Sequence, residues 1–203
     1  MKKIALVGAS GNVGSRLLAE LLSRGHSVTA IARDPARIAA QPGVTAVRGD
    51  VADGAGLAAI LAGHDAVIST VRFLDTDPAA LIGAVRASGV GRYLVVGGAA
   101  SLLLPSGERL LDQPDFPAEY KAEATRGAAF LEALQGVDDL EWTFLSPSAM
   151  FVPGERTGNF RLGKDALLVG PDGSSISYED YAIALADEID RPAHVRQRFT
   201  VGY

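Results

Sequence analysis

The first residues able to do chemistry lie near the amino terminus: Gly8-Ala9-Ser10-Gly11-Asn12-Val13-Gly14. Their spacing is Gly-x-x-Gly-x-x-Gly, a variant of the commoner Gly-x-Gly-x-x-Gly. In such a pattern Gly8 allows a tight turn, Gly11 lets main-chain amides approach an anion, and Gly14 lets a following helix pack close. An apolar run, Ile4 to Val7, precedes the turn, and Val13, Leu17, Leu18, Leu21 and Leu22 follow at helical spacing. Strand, turn and helix in that order read as a pyrophosphate site. The helix N-terminus offers unpaired N–H groups and a partial positive charge, and Ser10, Asn12 and Val13 sit in the same turn. Without that context a glycine-rich turn says little.

The end of the next apolar run bears on which dinucleotide would fit. An NAD site usually ends this strand with a carboxylate for the ribose 2′-hydroxyl. Here Ala32 stands at that place, and Arg33-Asp34 follow. A guanidinium there pairs with a 2′-phosphate, so NADP is expected over NAD. Asp34 leaves two readings open: turned inward it favours NAD, and turned toward Pro35 it begins the next turn. Asp50-Val51 is placed to meet the adenine edge, and Ser69-Thr70-Val71 to line the ribose and pyrophosphate path. Each would serve equally as a strand-end turn residue. Arg72 and Arg156 could meet an anionic substrate.

These residues need a scaffold that gathers strand ends. Short apolar runs at Ile4–Val7, Ser27–Ala32, Val44–Val47, Asp65–Thr70, Arg92–Gly97 and Glu141–Leu145 alternate with helical patterns. Those patterns fall on 13–24, 35–40, 57–62, 78–88 and 118–134. Alternation of this kind predicts an α/β Rossmann-type, doubly wound parallel sheet, with ligands beyond the carboxyl ends of the strands. Residues 100–118 read as a loop. Arg161 to Val169 reads as a hairpin or paired short strands, followed by the turn Gly170-Pro171-Asp172-Gly173. Ser177 with Asp180 looks like a capping-box variant opening a helix, and Arg198 to Val201 is a final strand. The expectation is a single NAD(P)-binding domain over 1–203 with a small C-terminal appendage, in which 147–190 forms a substrate-side subregion.

Composition narrows the partners. The chain has 203 residues, no Cys and a net charge of −5. A mildly acidic surface argues against nucleic acid, and no thiol chemistry is possible. The apolar run after Met1-Lys2-Lys3 is too short for a signal h-region, and no later stretch suits a membrane span, so a cytoplasmic monomer or homodimer is expected. His26, His64 and His194 precede strands, at the sheet edge opposite the strand ends, and read as structural. Trp142 reads as core. The acidic residues form no liganding cluster, so no metal is expected.

Gly8 to Gly14, Arg33, Gly49-Asp50, Gly97-Gly98-Ala99-Ala100-Ser101 and Phe144-Leu145-Ser146-Pro147 together resemble the atypical short-chain dehydrogenase/reductases. Within them the chain is most similar to NAD(P)H-binding proteins grouped as NADH-flavin reductases, near the NmrA-like and biliverdin-IXβ-reductase-like proteins. The resemblance implies that Gly97 borders the cofactor and that Ser101 is a substrate-side hydroxyl. It also implies that Ser146-Pro147-Ser148 touch the carboxamide end. Met150, Phe151 and Phe116 read as apolar wall or core.

Conventional members carry Tyr-x-x-x-Lys on the helix after the fifth strand. Here that helix has Tyr120-Lys121, with Ala124 four places after Tyr120. Neighbouring helix residues point about 100° apart, so Tyr120 and Lys121 cannot both face one site. Tyr120 is a candidate acid, and Lys121 matches the lone Lys of isoflavone-reductase-like relatives. The resemblance therefore implies an NADPH-dependent oxidoreductase acting on a small conjugated acceptor such as a flavin, quinone or enone. Two alternatives stay open: an NmrA-like regulator that senses NADP(H) without turnover, and a nucleotide-sugar epimerase or dehydratase.

Overall fold

A computed structural model describes all 203 residues. The apolar amino-terminal run forms β1 (Lys3–Val7). Its period-two alternation sends Ile4 and Leu6 to one face of the sheet and Ala5 and Val7 to the other, so the strand is buried on both sides. Helix α1 (Asn12–Ser23) follows the glycine turn and buries Leu17, Leu18 and Leu21. Each such leucine contributes about 1.5–3 kcal/mol on leaving water. The strands β2 (Ser27–Ala32), β3 (Val44–Arg48), β4 (Ala66–Ser69), β5 (Arg92–Val96) and β6 (Glu141–Pro147) alternate with α2 (Gly54–Leu61), α3 (Pro78–Ala87) and α4 (Ala118–Gln135). The chain closes with β7 (Met150–Val152), β8 (Arg161–Gly163), β9 (Ser175–Ser177), α5 (Tyr178–Asp190) and β10 (Gln197–Gly202).

The main sheet has eight strands in the order β3-β2-β1-β4-β5-β6-β10-β8. All neighbours are parallel except β8, which runs antiparallel to β10. Helices α1 and α5 cover one face, and α2, α3 and α4 cover the other. This is a Rossmann-like α/β fold. Chain order reverses between β1 and β4, which opens a crevice at their carboxyl ends. No helix is long and apolar enough to cross a membrane.

Several elements differ from the sequence reading. Residues 35–40 form only one 3-10 turn, Pro35–Arg37, because Ile38 leaves the helical region. The segment 161–169 is not a hairpin: β8 pairs with β10, and Ala166 bridges to Leu103 instead. The sequence pattern does not reveal the parallel pair β7–β9, since three-residue strands carry too little of it. The capping box is half formed. Ser177 Oγ accepts from Asp180 N at 3.0 Å, but Asp180 turns away and accepts from the amides of Thr157 and Gly158, each at 2.8 Å. That carboxylate, fully buried, also accepts from Thr157 Oγ1 at 2.5 Å and Tyr203 Oη at 2.9 Å, tying the 154–160 strap to α5.

Candidate functional site

The glycine turn is built as an anion cradle. Gly8 adopts φ +86°, a left-handed conformation that glycine tolerates, and a Cβ there would lie 2.5 Å from Thr70 Oγ1. A Cβ on Gly14 would lie 2.2 Å from Gly8 O, so only glycine lets α1 start this close to the turn. No side chain caps α1 at Gly11, which leaves its first amides for a ligand. Thr70 secures the turn: its hydroxyl reaches Gly8 O at 2.9 Å and Val7 O at 3.1 Å, and its amide donates to Val7 O at 2.9 Å. The observed cradle fits a dinucleotide pyrophosphate.

A cleft of about 240 Å³ opens beside this turn, over the ends of β1, β2, β3 and β4. Gly8, Ser10, Gly11, Arg33, Asp50, Val51, Thr70 and Val71 line it, together with Arg37, Arg72 and Asp75, which the sequence reading did not assign to it. The side chains of Arg33, Arg37 and Arg72 make no hydrogen bond or ion pair to protein groups. Ala32 is buried at the strand end, and Asp34 accepts from Ala36 N at 3.2 Å, committed to starting the 3-10 turn. Asp50 similarly accepts from Ala52 N at 3.0 Å. The cleft thus presents three free guanidinium groups against the carboxylates of Asp50 and Asp75.

A second, larger cleft of about 470 Å³ lies past the 3-10 turn Phe73–Asp75, over the end of β5 and against α4. Gly97, Ser101 and Tyr120 line it, with apolar walls from Phe73, Leu110, Phe116 and Met150. On α4, Tyr120, Glu123, Ala124, Gly127 and Ala128 face it at helical spacing. Its only charged lining groups are Asp115 and Glu123. Glu123 accepts from the amides of Phe73 at 2.7 Å and Leu74 at 2.9 Å, which clamps the partition between the two clefts. Gly97 has no room for a side chain: a Cβ would lie 2.2 Å from Phe144 Cε1. Ser101 Oγ accepts from Arg198 Nη1 at 3.2 Å.

Other expected site residues lie outside both clefts. Ser69 is buried and its hydroxyl pairs with Tyr93 Oη at 2.9 Å, on the core side of β4. Lys121 is exposed on another face of α4 from Tyr120 and borders neither cleft. Ser146, Pro147 and Ser148 are buried in the sheet. Ser148 Oγ donates to Val201 O at 3.2 Å, and Ser146 Oγ has no partner. Asn12 and Val13 lie in the first turn of α1, and Gly14 packs beneath Gly8. Trp142 is core, donating to Val137 O at 3.0 Å. His64 bonds Leu61 O and Thr29 Oγ1 at 2.8 and 2.7 Å, and His194 stacks on Phe199 with centroids 4.0 Å apart. Arg156 is engaged by Glu20 at 3.0 Å, away from both clefts.

Comparison with known proteins agrees with the geometry. A family model described as NAD(P)H-binding matches residues 8–192. The chain is 41% identical to YwnB, an uncharacterized protein of Bacillus subtilis, over 98% of this chain and 97% of that one. A structure from Bacteroides thetaiotaomicron, provisionally named an epimerase, superposes with TM-score 0.95 at 41% identity, covering 100% of this chain and 97% of that one. One from Streptococcus pneumoniae, provisionally named an NADH-flavin reductase, superposes with TM-score 0.85 at 36% identity, covering 100% and 99%.

Proposed function

This chain belongs to the NAD(P)H-binding family, and from that premise we propose that it is an NADPH-dependent oxidoreductase passing hydride to a small, neutral, conjugated acceptor such as a flavin, quinone or enone. One observation carries the cofactor choice. Arg33 and Arg37 line the ribose end without partners, while Asp34 is held by Ala36 N. Free guanidinium groups favour a 2′-phosphate, and a carboxylate committed to a turn does not compete for a 2′-hydroxyl. When bound, the reduced nicotinamide supplies a hydride. Gly8, Gly11 and the first amides of α1 would hold the pyrophosphate, and Gly97, whose missing Cβ leaves room for Phe144, would border the nicotinamide at the end of β5.

The second cleft supports the acceptor class. Apolar walls with two carboxylates suit a neutral planar molecule and disfavour an anion. A simple carbonyl would become a localised alkoxide needing a strong proton donor. Lys121 does not border the cleft, and Tyr120 is 63% exposed, so no preorganised Tyr–Lys pair supplies one. A conjugated acceptor delocalises the charge and takes its proton from water. Ala149 and Met150 are the contribution of the 147–190 segment to this wall.

The same missing pair favours the second reading, a cofactor sensor without turnover. The Bacteroides relative's name suggests epimerisation, but a sugar-nucleotide diphosphate finds no cation in the second cleft. The deciding experiment follows NADPH absorbance with riboflavin, menadione and an enone as acceptors. Acceptor-dependent oxidation is expected. NADPH binding without oxidation by any acceptor establishes the sensor reading instead.

A further inference from the structure

Ser101 is a hydroxyl on the acceptor cleft with a cation behind it. Arg198, on β10, lies 97 residues away in sequence, and its side chain is only 8% exposed. Its Nε and Nη2 donate to Asp165 Oδ1 at 2.8 and 2.6 Å, and its Nη1 donates to Ser101 Oγ at 3.2 Å. The carboxylate therefore aims the guanidinium, and the guanidinium occupies a lone pair of Oγ. The Ser101 hydroxyl proton has no acceptor in the protein and is left for the cleft. The main chain is tied in as well, because Leu103 N donates to Asp165 O at 2.8 Å, which fixes the loop just after Ser101.

We propose that Asp165 and Arg198 are positioning residues that turn Ser101 O–H into a polarised donor for an acceptor oxygen, so that the acceptor is a conjugated carbonyl whose oxygen gains negative charge. This rests on the reductase reading above. A neutral serine hydroxyl is a modest donor. A cationic N–H donated to its oxygen draws charge from Oγ and strengthens the O–H as a donor. In the reaction, the nicotinamide C–H bond breaks and its electron pair forms a new bond on the acceptor, which is reduced by two electrons. The charge collects on the acceptor oxygen, Ser101 donates a hydrogen bond to it, and water supplies the proton. A donor aimed where charge develops lowers the barrier more than it improves ground-state binding.

The test uses Ser101→Ala, Arg198→Gln, Arg198→Lys, Asp165→Asn and the Ser101→Ala/Arg198→Gln double variant. With menadione and NADPH, Ser101→Ala and Arg198→Gln should each lower kcat about tenfold to a hundredfold, with KM for NADPH within twofold. Arg198→Lys should recover part of the loss, and Asp165→Asn should give a smaller one. The double variant should be no worse than Ser101→Ala, because Arg198 acts through that hydroxyl. A second readout needs no turnover. With NADP⁺ bound, 4-nitrophenol mimics the charged oxygen, and its absorbance separates phenol from phenolate.

Wild type should favour the phenolate about tenfold more than either single variant. Tyr120, Asp115 and Glu123 also face the probe, and they are common to all the variants. Multiplicative losses in the double variant, an Arg198→Gln kcat within twofold of wild type, or a phenolate fraction in wild type no higher than in Ser101→Ala and Arg198→Gln would each overturn the proposal. A wild type that reduces nothing yet shows the Arg198-dependent phenolate preference would overturn the reductase reading and keep the donor.

Discussion

Arg33→Ala should lower the preference for NADPH over NADH about tenfold. The guanidinium lines the cofactor cleft, is exposed, and has no protein partner to hold it elsewhere. A charge-assisted hydrogen bond is worth about 1.5–3 kcal/mol. Exposure and a screening length of about 8 Å at physiological salt put Arg33 at the lower end of that range. About 1.5 kcal/mol corresponds to roughly a tenfold loss of NADPH affinity. Arg37 lines the same cleft, so Arg33→Ala/Arg37→Ala should lose roughly a hundredfold if the two contacts are independent. NADH has no charge at that position, and its affinity should stay within about twofold. Titration of cofactor fluorescence against wild type and both variants measures each affinity, and repetition at higher salt should shrink the NADPH advantage. Equal loss of NADPH and NADH, or an undiminished NADPH preference in the double variant, refutes the reasoning. Equal binding of both cofactors by wild type means that Asp34 leaves Ala36 N and governs the ribose.

Gly14→Ala should abolish cofactor binding, because the new Cβ would sit 2.2 Å from Gly8 O and both atoms belong to the turn; a titration with NADPH checks this. Ser69→Ala should leave cofactor affinity unchanged yet destabilise the fold by about 1–3 kcal/mol, since Tyr93 Oη loses its partner. Adding Tyr93→Phe should restore part of that stability in a thermal melt, whereas a cofactor role for Ser69 would show as weaker NADPH binding in the single variant. Asp180→Asn places an amide among four donors and should cost about 3 kcal/mol, lowering Tm by roughly 6–12 °C. Burial alone would raise the Asp180 carboxyl, but hydrogen bonds from Thr157, Gly158 and Tyr203 outweigh it and hold the group below its usual value. Its stabilising effect is therefore full above the unfolded pKa of about 4 and is lost as pH falls through the lower folded value. The difference in Tm between wild type and Asp180→Asn should persist at neutral pH and shrink below about pH 4.

What was legible in the sequence was local. The glycine turn, the strand before it and the helix after it signal one another within 25 residues, so Gly8, Gly11 and Gly14 could be assigned from spacing. Ser69 differs from the sequence reading for a reason of register. Along β4 the side chains alternate, and Val67 and Ser69 point to the core shared with Tyr93, while Thr70 leaves the strand and secures the turn. Tyr120 and Lys121 could be separated in principle. Ala124, Gly127 and Ala128 stand four, seven and eight positions after Tyr120, so the small-residue face of α4 includes Tyr120 and leaves Lys121 out. Arg198 had no local signal, since its link to Ser101 depends on β10 lying beside β6 at the far end of the sheet. The β8–β10 pairing was hidden for the same reason.

The departure from Tyr-x-x-x-Lys has a structural consequence at one position. Conventional relatives place the lysine four residues after the tyrosine, which here is Ala124. Ala124 lines the second cleft, so a lysine in its place would project a long stem and an ammonium into that space. Gly127, one turn further on, keeps the face of α4 low enough for Phe73 to pack against it. A Cβ on Gly127 would already lie 2.9 Å from the Phe73 ring. Phe73 in turn rests on Phe130 and Phe144, with centroids 5.4 and 6.2 Å away, and forms one wall of the cleft. The aromatic wall therefore depends on the small residues of this face of α4, Gly127 above all. Under the proposed reductase reading, a flat apolar wall with no lysine beside it would suit acceptors that spread their charge over a ring, with Ser101 as the one donor at its edge.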